Sequence, residues 1–165
     1  MKIFCLVLVF QVVSVVGAFT LNHQQDQSKP KSGKPISFQL CIVEETPNER
    51  YEIGHKSLWS GKIMYPVTDV MFNETDVEST YVAVQKKGDE KTVFILVIFK
   101  KEIQDRFAEF TSAVINKRLG IFIDNQLVSD PMVRAKIEGG LFAIMSNYNE
   151  DEARNIVARF NQQKK

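Results

Sequence analysis

The stretch RLGIFIDNQLVSDP, from Arg118 to Pro131, decides the fold because it has the pattern of two strands joined by a tight turn. Asp124 and Asn125 lie between the apolar halves, and both residue types tolerate the left-handed backbone angles of a two-residue hairpin turn. Pro131 ends the pairing because it has no amide hydrogen to donate. The stretch therefore predicts a β-hairpin, and the edge from Gln126 to Ser129 is a candidate binding surface because exposed strand edges pair with extended peptides.

Helical periodicity flanks this hairpin on both sides. Before it, apolar residues recur four, three and four positions apart and predict one stripe of an amphipathic helix: Ile103, Phe107, Phe110 and Val114. Lys117 and Arg118 are predicted to close the basic end of that helix. After the hairpin, Asn149 and Glu152 predict a capping box. The helix that follows is predicted to bury Ala153, Ile156, Val157 and Phe160.

The remaining segments predict strands. ISFQLCIVEE, from Ile36, alternates apolar and small or polar residues, while KIMYPVTDVMF is split by Pro66 into two short pieces. TYVAVQ and TVFILVIF flank a turn at Gly88, and the second of them is apolar on both faces, which predicts a central strand. EGGLFAIM adds a strand whose Gly139-Gly140 pair permits a bulge or a close backbone approach. The predicted fold class is α+β, a largely antiparallel sheet with two amphipathic helices packed on one face.

The N-terminus predicts export. Lys2, an apolar run and a small-residue site ending at Ala18 are typical of a secretory signal peptide, residues 1–18, although an uncleaved anchor is the alternative. Residues 19–35 predict a flexible leader, residues 36–161 one domain, and residues 162–165 a tail. The expected location is the periplasm or the medium, without a stable membrane span after cleavage.

Composition excludes several functions. Loss of Lys2 with the signal peptide leaves 20 basic and 20 acidic residues, which argues against nucleic-acid binding. Cys41 then has no partner for a disulfide, and a buried strand cysteine is favoured over a nucleophile. His23 and His55 lack metal-ligand spacing, so neither metal nor cofactor is predicted.

The carboxylates of Asp124 and Asp130 flank the hairpin and invite an acid–base interpretation. Turn chemistry explains both residues better, since Asp124 suits the turn itself and Asp130 precedes a proline. No nucleophile, base and orienting group can be assembled around them, and we therefore predict a protein that is not an enzyme. A hydrolytic enzyme is retained only as a third hypothesis.

From about Val97 to Phe160, the chain resembles the head subdomain of the first periplasmic domain of SecD and SecDF, bacterial protein-export subunits. The counterparts occur in order as NKRLGIFID, DNQLVSDP, IEGG and NEDEA, and looser similarity extends back to Ile36. Asn125 replaces the usual turn glycine, and Asp130 stands where a small residue is usual. The quoted motifs lack the transmembrane helices of that family, so a proton-driven export motor is not expected of this chain by itself.

The resemblance implies a non-enzymatic exported module that binds extended or unfolded protein outside the cytoplasm, in association with the export machinery. The alternative is a small secreted interaction or inhibitor protein with one folded partner. The predicted binding residues surround the hairpin and the glycine pair: Asp124, Asn125, Gln126, Val128, Ser129, Pro131, Gly139 and Gly140.

Overall fold

The computed structural model describes residues 34–163. The strands are β1 (Phe38–Glu44), β2 (His55–Lys56), β3 (Ile63–Pro66), β4 (Phe72–Asn73), β5 (Val77–Lys87), β6 (Glu90–Phe99), β7 (Arg118–Ile123), β8 (Gln126–Ser129) and β9 (Leu141–Met145). The helices are α1 (Lys101–Ala113) and α2 (Glu150–Gln162), with a 3-10 turn at Glu74–Asp76. The predicted signal peptide, leader residues 19–33 and tail residues 164–165 lie outside the described residues.

The strand pairings divide between two antiparallel sheets. One follows the order β2-β3-β1-β7-β8, with β4 also paired to β1, and the other follows β5-β6-β9. The α+β class with antiparallel strands and two helices is confirmed, but the prediction of a single sheet is wrong. Each hairpin is completed by a strand from the other end of the chain, because β1 pairs with β7 and β9 pairs with β6.

The split at Pro66 is confirmed. β3 and β4 pair with the same edge of β1, with Pro66 opposite Val43 and Phe72 opposite Leu40. In the gap between them, the Ile42 amide donates to Thr68 Oγ1 at 3.0 Å. A side chain thus satisfies a backbone donor where the strand partner is interrupted.

Both hairpin predictions are confirmed. Asp124 and Asn125 have φ angles of 52° and 63°, the left-handed pair that a two-residue turn requires. Gly88 has φ 62° in the turn between β5 and β6. β6 is the central strand of the three-stranded sheet, as its apolar composition predicted.

Both helices place their predicted apolar residues against the core, but the predicted C-terminal end of α1 is wrong. α1 ends at Ala113, Asn116 then has a φ of 68°, and Arg118 already begins β7, so the predicted basic helix terminus is wrong. The left-handed residue reverses the chain before the basic pair is reached. α2 begins with the predicted capping box: the Glu152 amide donates to Asn149 Oδ1 at 3.0 Å, and the Asn149 amide donates to Glu152 Oε2 at 2.9 Å.

One aromatic cluster joins the layers. Phe107 of α1 lies 4.8 Å from Phe99, 5.4 Å from Phe142 and 5.4 Å from Phe72, measured between ring centroids. These rings belong to the main core, together with the buried residues of α2. The core thus links both helices to both sheets.

A second, smaller core lies on the other side of the β1–β7 pair. It contains Cys41, Val43, Met64, Phe122 and Leu127. The predicted burial of Cys41 is confirmed, and burial raises the pKa of its thiol to about 12. The thiol is therefore protonated at neutral pH and is a poor nucleophile.

Candidate functional site

The hairpin turn is fixed to α2 by a bidentate ion pair. Arg159 donates to Asp124 through Nη1 at 2.6 Å and through Nη2 at 2.9 Å. Arg159 also donates to the carbonyl oxygens of Lys34 and Pro35, so the end of the predicted flexible leader is held here. Hydrogen bonding from Arg159, then from the Ser37 amide, lowers the pKa of Asp124. The Asp124 carboxylate therefore holds the hairpin turn in position against α2.

We expect Asp124→Asn to destabilise the fold modestly and only where Asp124 is ionised. The folded pKa of Asp124 is lowered, so its contribution is present above the pKa of the unfolded chain and is lost as pH falls through the folded pKa. Its side chain is 44% exposed, which limits the contribution to about 0.5–1 kcal/mol. Urea unfolding of both proteins at pH 7 and at pH 2 measures the difference.

A double-mutant cycle with Arg159→Gln is the control for this ion pair. It separates the energy of the Asp124–Arg159 interaction from that of the hydrogen bonds that Arg159 donates to the carbonyl oxygens of Lys34 and Pro35. A gap between wild type and Asp124→Asn that stays constant down to pH 2 contradicts the assignment.

The structure divides the predicted binding residues by exposure. Val128 and Ser129 are 0% and 1% exposed, and Gly140 is also buried. Gly140 fits closely under α1, where a Cβ would lie 2.6 Å from Gln104 Cγ. Five predicted residues remain accessible to a partner: Asp124, Asn125, Gln126, Pro131 and Gly139.

The outer edge of β8 is partly occupied. The Leu58 amide donates to the Leu127 carbonyl at 3.0 Å, so the segment after β2 lies beside β8. Gln126 is paired with Ile123 across the turn, which is the pair that closes a two-residue hairpin. A peptide could therefore pair along β8 only after Leu58 moved away.

Asp130 has a different role from the predicted turn chemistry. Its side chain is 0% exposed, Ser57 donates to Oδ1 at 2.5 Å, and Arg118 Nη1 donates to Oδ2 at 3.0 Å. Ser57 follows β2 and Asp130 follows β8, which are the first and last strands in the order of the larger sheet. The hydrogen bonds among Ser57, Asp130 and Arg118 therefore connect the two ends of that sheet. The turn interpretation of Asp130 is wrong, since the carboxylate anchors a buried polar group.

A surface that the sequence did not reveal lies on the three-stranded sheet. Residues directly opposite one another share a face, so the register defines three outward rows. These rows, which we call the outer face, are Ser79–Ile98–Leu141, Tyr81–Leu96–Ala143 and Ala83–Phe94–Met145. Eight of the nine side chains are apolar or aromatic.

The outer face is separate from both cores. Within residues 34–163, none of its apolar side chains belongs to the main core or to the residues packed against it, whereas the opposite face contributes Ile95, Val97 and Ile144. Tyr81 and Leu141 are 43% and 41% exposed. These two side chains lie on the outer strands β5 and β9, and the half-buried side chains of Leu96 and Ile98 on β6 lie between them. A continuous, partly exposed apolar face of this kind marks an interaction surface.

Within residues 34–163, no group of three histidine, cysteine, aspartate or glutamate side chains is placed to hold a metal ion. Neither helix in this part of the chain combines the length and apolar composition required to cross a membrane.

The fold is similar to part of SecDF. The structure is similar to SecDF in its super-membrane-facing form, with a TM-score of 0.60 at 17% identity over 75% of this chain and 18% of the other. It is also similar to SecDF described as a membrane component that enhances protein export, with a TM-score of 0.60 at 16% identity over 78% and 63%.

The family model of the SecDF P1 head subdomain matches residues 52–162, and the chain belongs to this family. Protein translocase subunit SecD of Aquifex aeolicus (strain VF5) is 28% identical over 141 residues, covering 79% of this chain and 27% of the relative. SecD of Magnetococcus marinus (strain ATCC BAA-1437 / JCM 17883 / MC-1) is 23% identical over 139 residues, covering 82% and 24%. The chain thus spans about a quarter of the length of these relatives.

Proposed function

We propose that this protein is a non-enzymatic, exported module that binds extended or unfolded polypeptide outside the cytoplasm in association with protein export. Its membership in the SecDF P1 head family supports the link to export. The exposed outer face is the single structural observation that carries the binding role, because unfolded chains expose the apolar residues that such a face can cover.

The chemistry of the titratable groups favours binding over catalysis. Asp124 is held by Arg159, Asp130 by Ser57 and Arg118, and the Cys41 thiol is buried. Each of these groups serves the fold, so within residues 34–163 these side chains do not form an arrangement that would support the alternative of a hydrolytic enzyme. Export rests on the signal-peptide pattern of residues 1–18, which predicts an N-terminus at Phe19 in the processed protein.

The rival is a secreted interaction or inhibitor protein with one folded partner. The exposed turn residues Asp124, Asn125 and Gln126 are the surface we assign to such a partner. Pro131 lies at the opposite end of the hairpin, where its carbonyl oxygen accepts from the Leu119 amide. Unlike the outer face, this surface is polar and therefore suits a partner of defined shape.

Binding of one exported protein in two states tests the proposal. We expect the full chain to bind a permanently unfolded, alkylated form of that protein and not its native form, measured by fluorescence anisotropy. Equal binding to both forms, or binding to neither, contradicts the proposal. The matched control Asn125→Gly keeps the turn, because glycine accepts the positive φ, and should leave binding to the unfolded protein unchanged.

A further inference from the structure

We propose that the free edge of β5 binds an extended segment of polypeptide as a fourth strand of the smaller sheet, an inference that rests on the proposed polypeptide binding. β5 is the first strand in the order β5-β6-β9. With 11 residues it is the longest edge strand within residues 34–163, against five for β9 and four for β8. Unlike β8, which Leu58 partly covers, β5 forms backbone hydrogen bonds only with β6 in this part of the chain. Its outer backbone groups are therefore available to another chain.

The features that discourage edge pairing lie at the two ends of β5. The register shift of a β-bulge falls between Val77 and Ser79, and Lys86 and Lys87 end the strand. Bulges and lysines at such positions oppose pairing with another strand. The residues between them, Ser79 to Gln85, contain no charge, no proline and no bulge. This part of β5, which we call the open edge, can pair with about seven residues of another chain.

The position of α2 determines which occupant fits the open edge. Within the smaller sheet, α2 packs more against β5 than against β6, and Thr80 Oγ1 donates to Asn161 Oδ1 at 3.5 Å. If a second copy paired through its own β5, the two strands would lie about 4.8 Å apart. Packed helices need about 8–10 Å between their axes, so the two α2 helices would overlap. A single extended segment carries no such helix, which favours polypeptide over a second copy of this chain.

Backbone hydrogen bonds are the main source of affinity in this arrangement. Every second residue of an added strand directs its N–H and C=O groups to the open edge, and these groups are the same in all residues except proline. Binding by strand addition therefore tolerates many sequences. This tolerance suits a protein that binds unfolded chains of differing sequence.

The open edge adjoins the outer face. Ser79, Tyr81 and Ala83 are the members of that face on β5, and Tyr81 is 43% exposed. Side chains on one side of an added strand would continue the outer face beyond Tyr81. An unfolded chain would therefore gain apolar contact on that side in addition to its backbone hydrogen bonds.

Hydrogen exchange of the full chain locates the site. The probe is a peptide of about seven residues, made of valine and threonine with one terminal lysine. At about nine-tenths occupancy, we expect alternate amides between Ser79 and Gln85 to exchange about tenfold more slowly, because pairing protects only the amides that point to the open edge. Protection of Gln126 to Ser129 instead, or no added protection in β5, overturns the inference.

Two derivatives of this peptide separate backbone from side-chain recognition. A scrambled sequence keeps every amide, so we expect its affinity to stay within about threefold of the original. N-methylation of the two central residues removes one donor in either phase of pairing, and we expect it to weaken binding about tenfold, the effect of one lost hydrogen bond. An N-methylated peptide that binds as tightly as the original contradicts strand addition, as does a scrambled peptide that does not bind.

Proline variants of β5 test the same point on the protein. Adjacent strand residues direct their amides to opposite sides, so of Tyr81→Pro and Val82→Pro one removes an amide of the open edge and the other an amide that pairs with β6. Thermal unfolding identifies the first as the more stable variant. We expect that variant to bind the peptide about tenfold more weakly. The control Tyr81→Ala keeps its amide and should stay within about threefold of wild type.

The outcomes separate this inference from the proposed function. If the folded proline variant binds like wild type, or if Tyr81→Ala abolishes binding, polypeptide binding stands and the open edge is not its site. Concentration-dependent dimerisation that the proline variant abolishes would assign the edge to a second copy and overturn the inference. If the wild-type chain binds neither unfolded protein nor the peptide, the proposed function itself fails and the inference fails with it.

Discussion

Asp130→Ala is expected to destabilise the protein by about 3 kcal/mol, at the lower end of the range for breaking a buried ion pair. The carboxylate is fully buried and accepts from both Ser57 and Arg118. Its removal leaves the Ser57 hydroxyl without an acceptor in a site that is 1% exposed. The loss stays near the lower end because the Arg118 side chain is 28% exposed and can still contact water.

Two variants control this experiment. Asp130→Asn keeps the shape and the acceptor for Ser57 but loses the charge, so we expect an intermediate loss. Ser57→Ala removes one neutral donor and should cost about 1 kcal/mol. Chemical denaturation with a shared slope gives all three differences. An Asp130→Ala variant as stable as wild type would show that the polar group does not hold the ends of the larger sheet together.

Phe107→Ala is expected to cost about 3–5 kcal/mol, the range for truncating a buried phenylalanine. Phe107 is 0% exposed and contacts three other rings, which come from β4, β6 and β9. Its removal therefore leaves a cavity at the point where both sheets meet α1. For a domain with a total stability of about 5–15 kcal/mol, such a loss is a large fraction of the whole.

Phe110→Ala is the matched control for Phe107→Ala, because Phe110 lies on the same helix and contacts Phe72 at 5.4 Å but is only half-buried. We expect a loss well below that of Phe107→Ala. Thermal unfolding monitored by circular dichroism compares the two. Equal losses would contradict the assignment, because alanine favours the helix at both positions and only burial in the aromatic cluster distinguishes them.

Local features of the fold were predictable because short-range chemistry determines them. The turn at Asp124 and Asn125, the capping box at Asn149 and the split at Pro66 each follow from the backbone preferences of a few adjacent residues. The family resemblance was likewise readable from ordered motifs, and the family match confirms it.

Features that depend on distant residues were not predictable. Asp130 before Pro131 has the pattern of a turn, and only the approach of Ser57 from another part of the chain makes it a buried anchor. The apolar residues of β6 predicted a central strand, which the structure confirms. Only the register with β5 and β9 shows that one side, the outer face, is separate from both cores.

Each hairpin pairs with a strand that is distant in the sequence, and this limits the order in which the protein can fold. Phe38 near the start of the domain must meet Ile123, and β6 must wait for β9, so the pairings that complete each sheet close long loops. Folding dominated by such distant contacts is slow, because loop closure is unfavourable until those contacts form. A chain that crosses a membrane with its N-terminus first would expose an unpaired β1 edge until β7 emerged. Until then, the protein itself would resemble the unfolded polypeptides that we propose it binds.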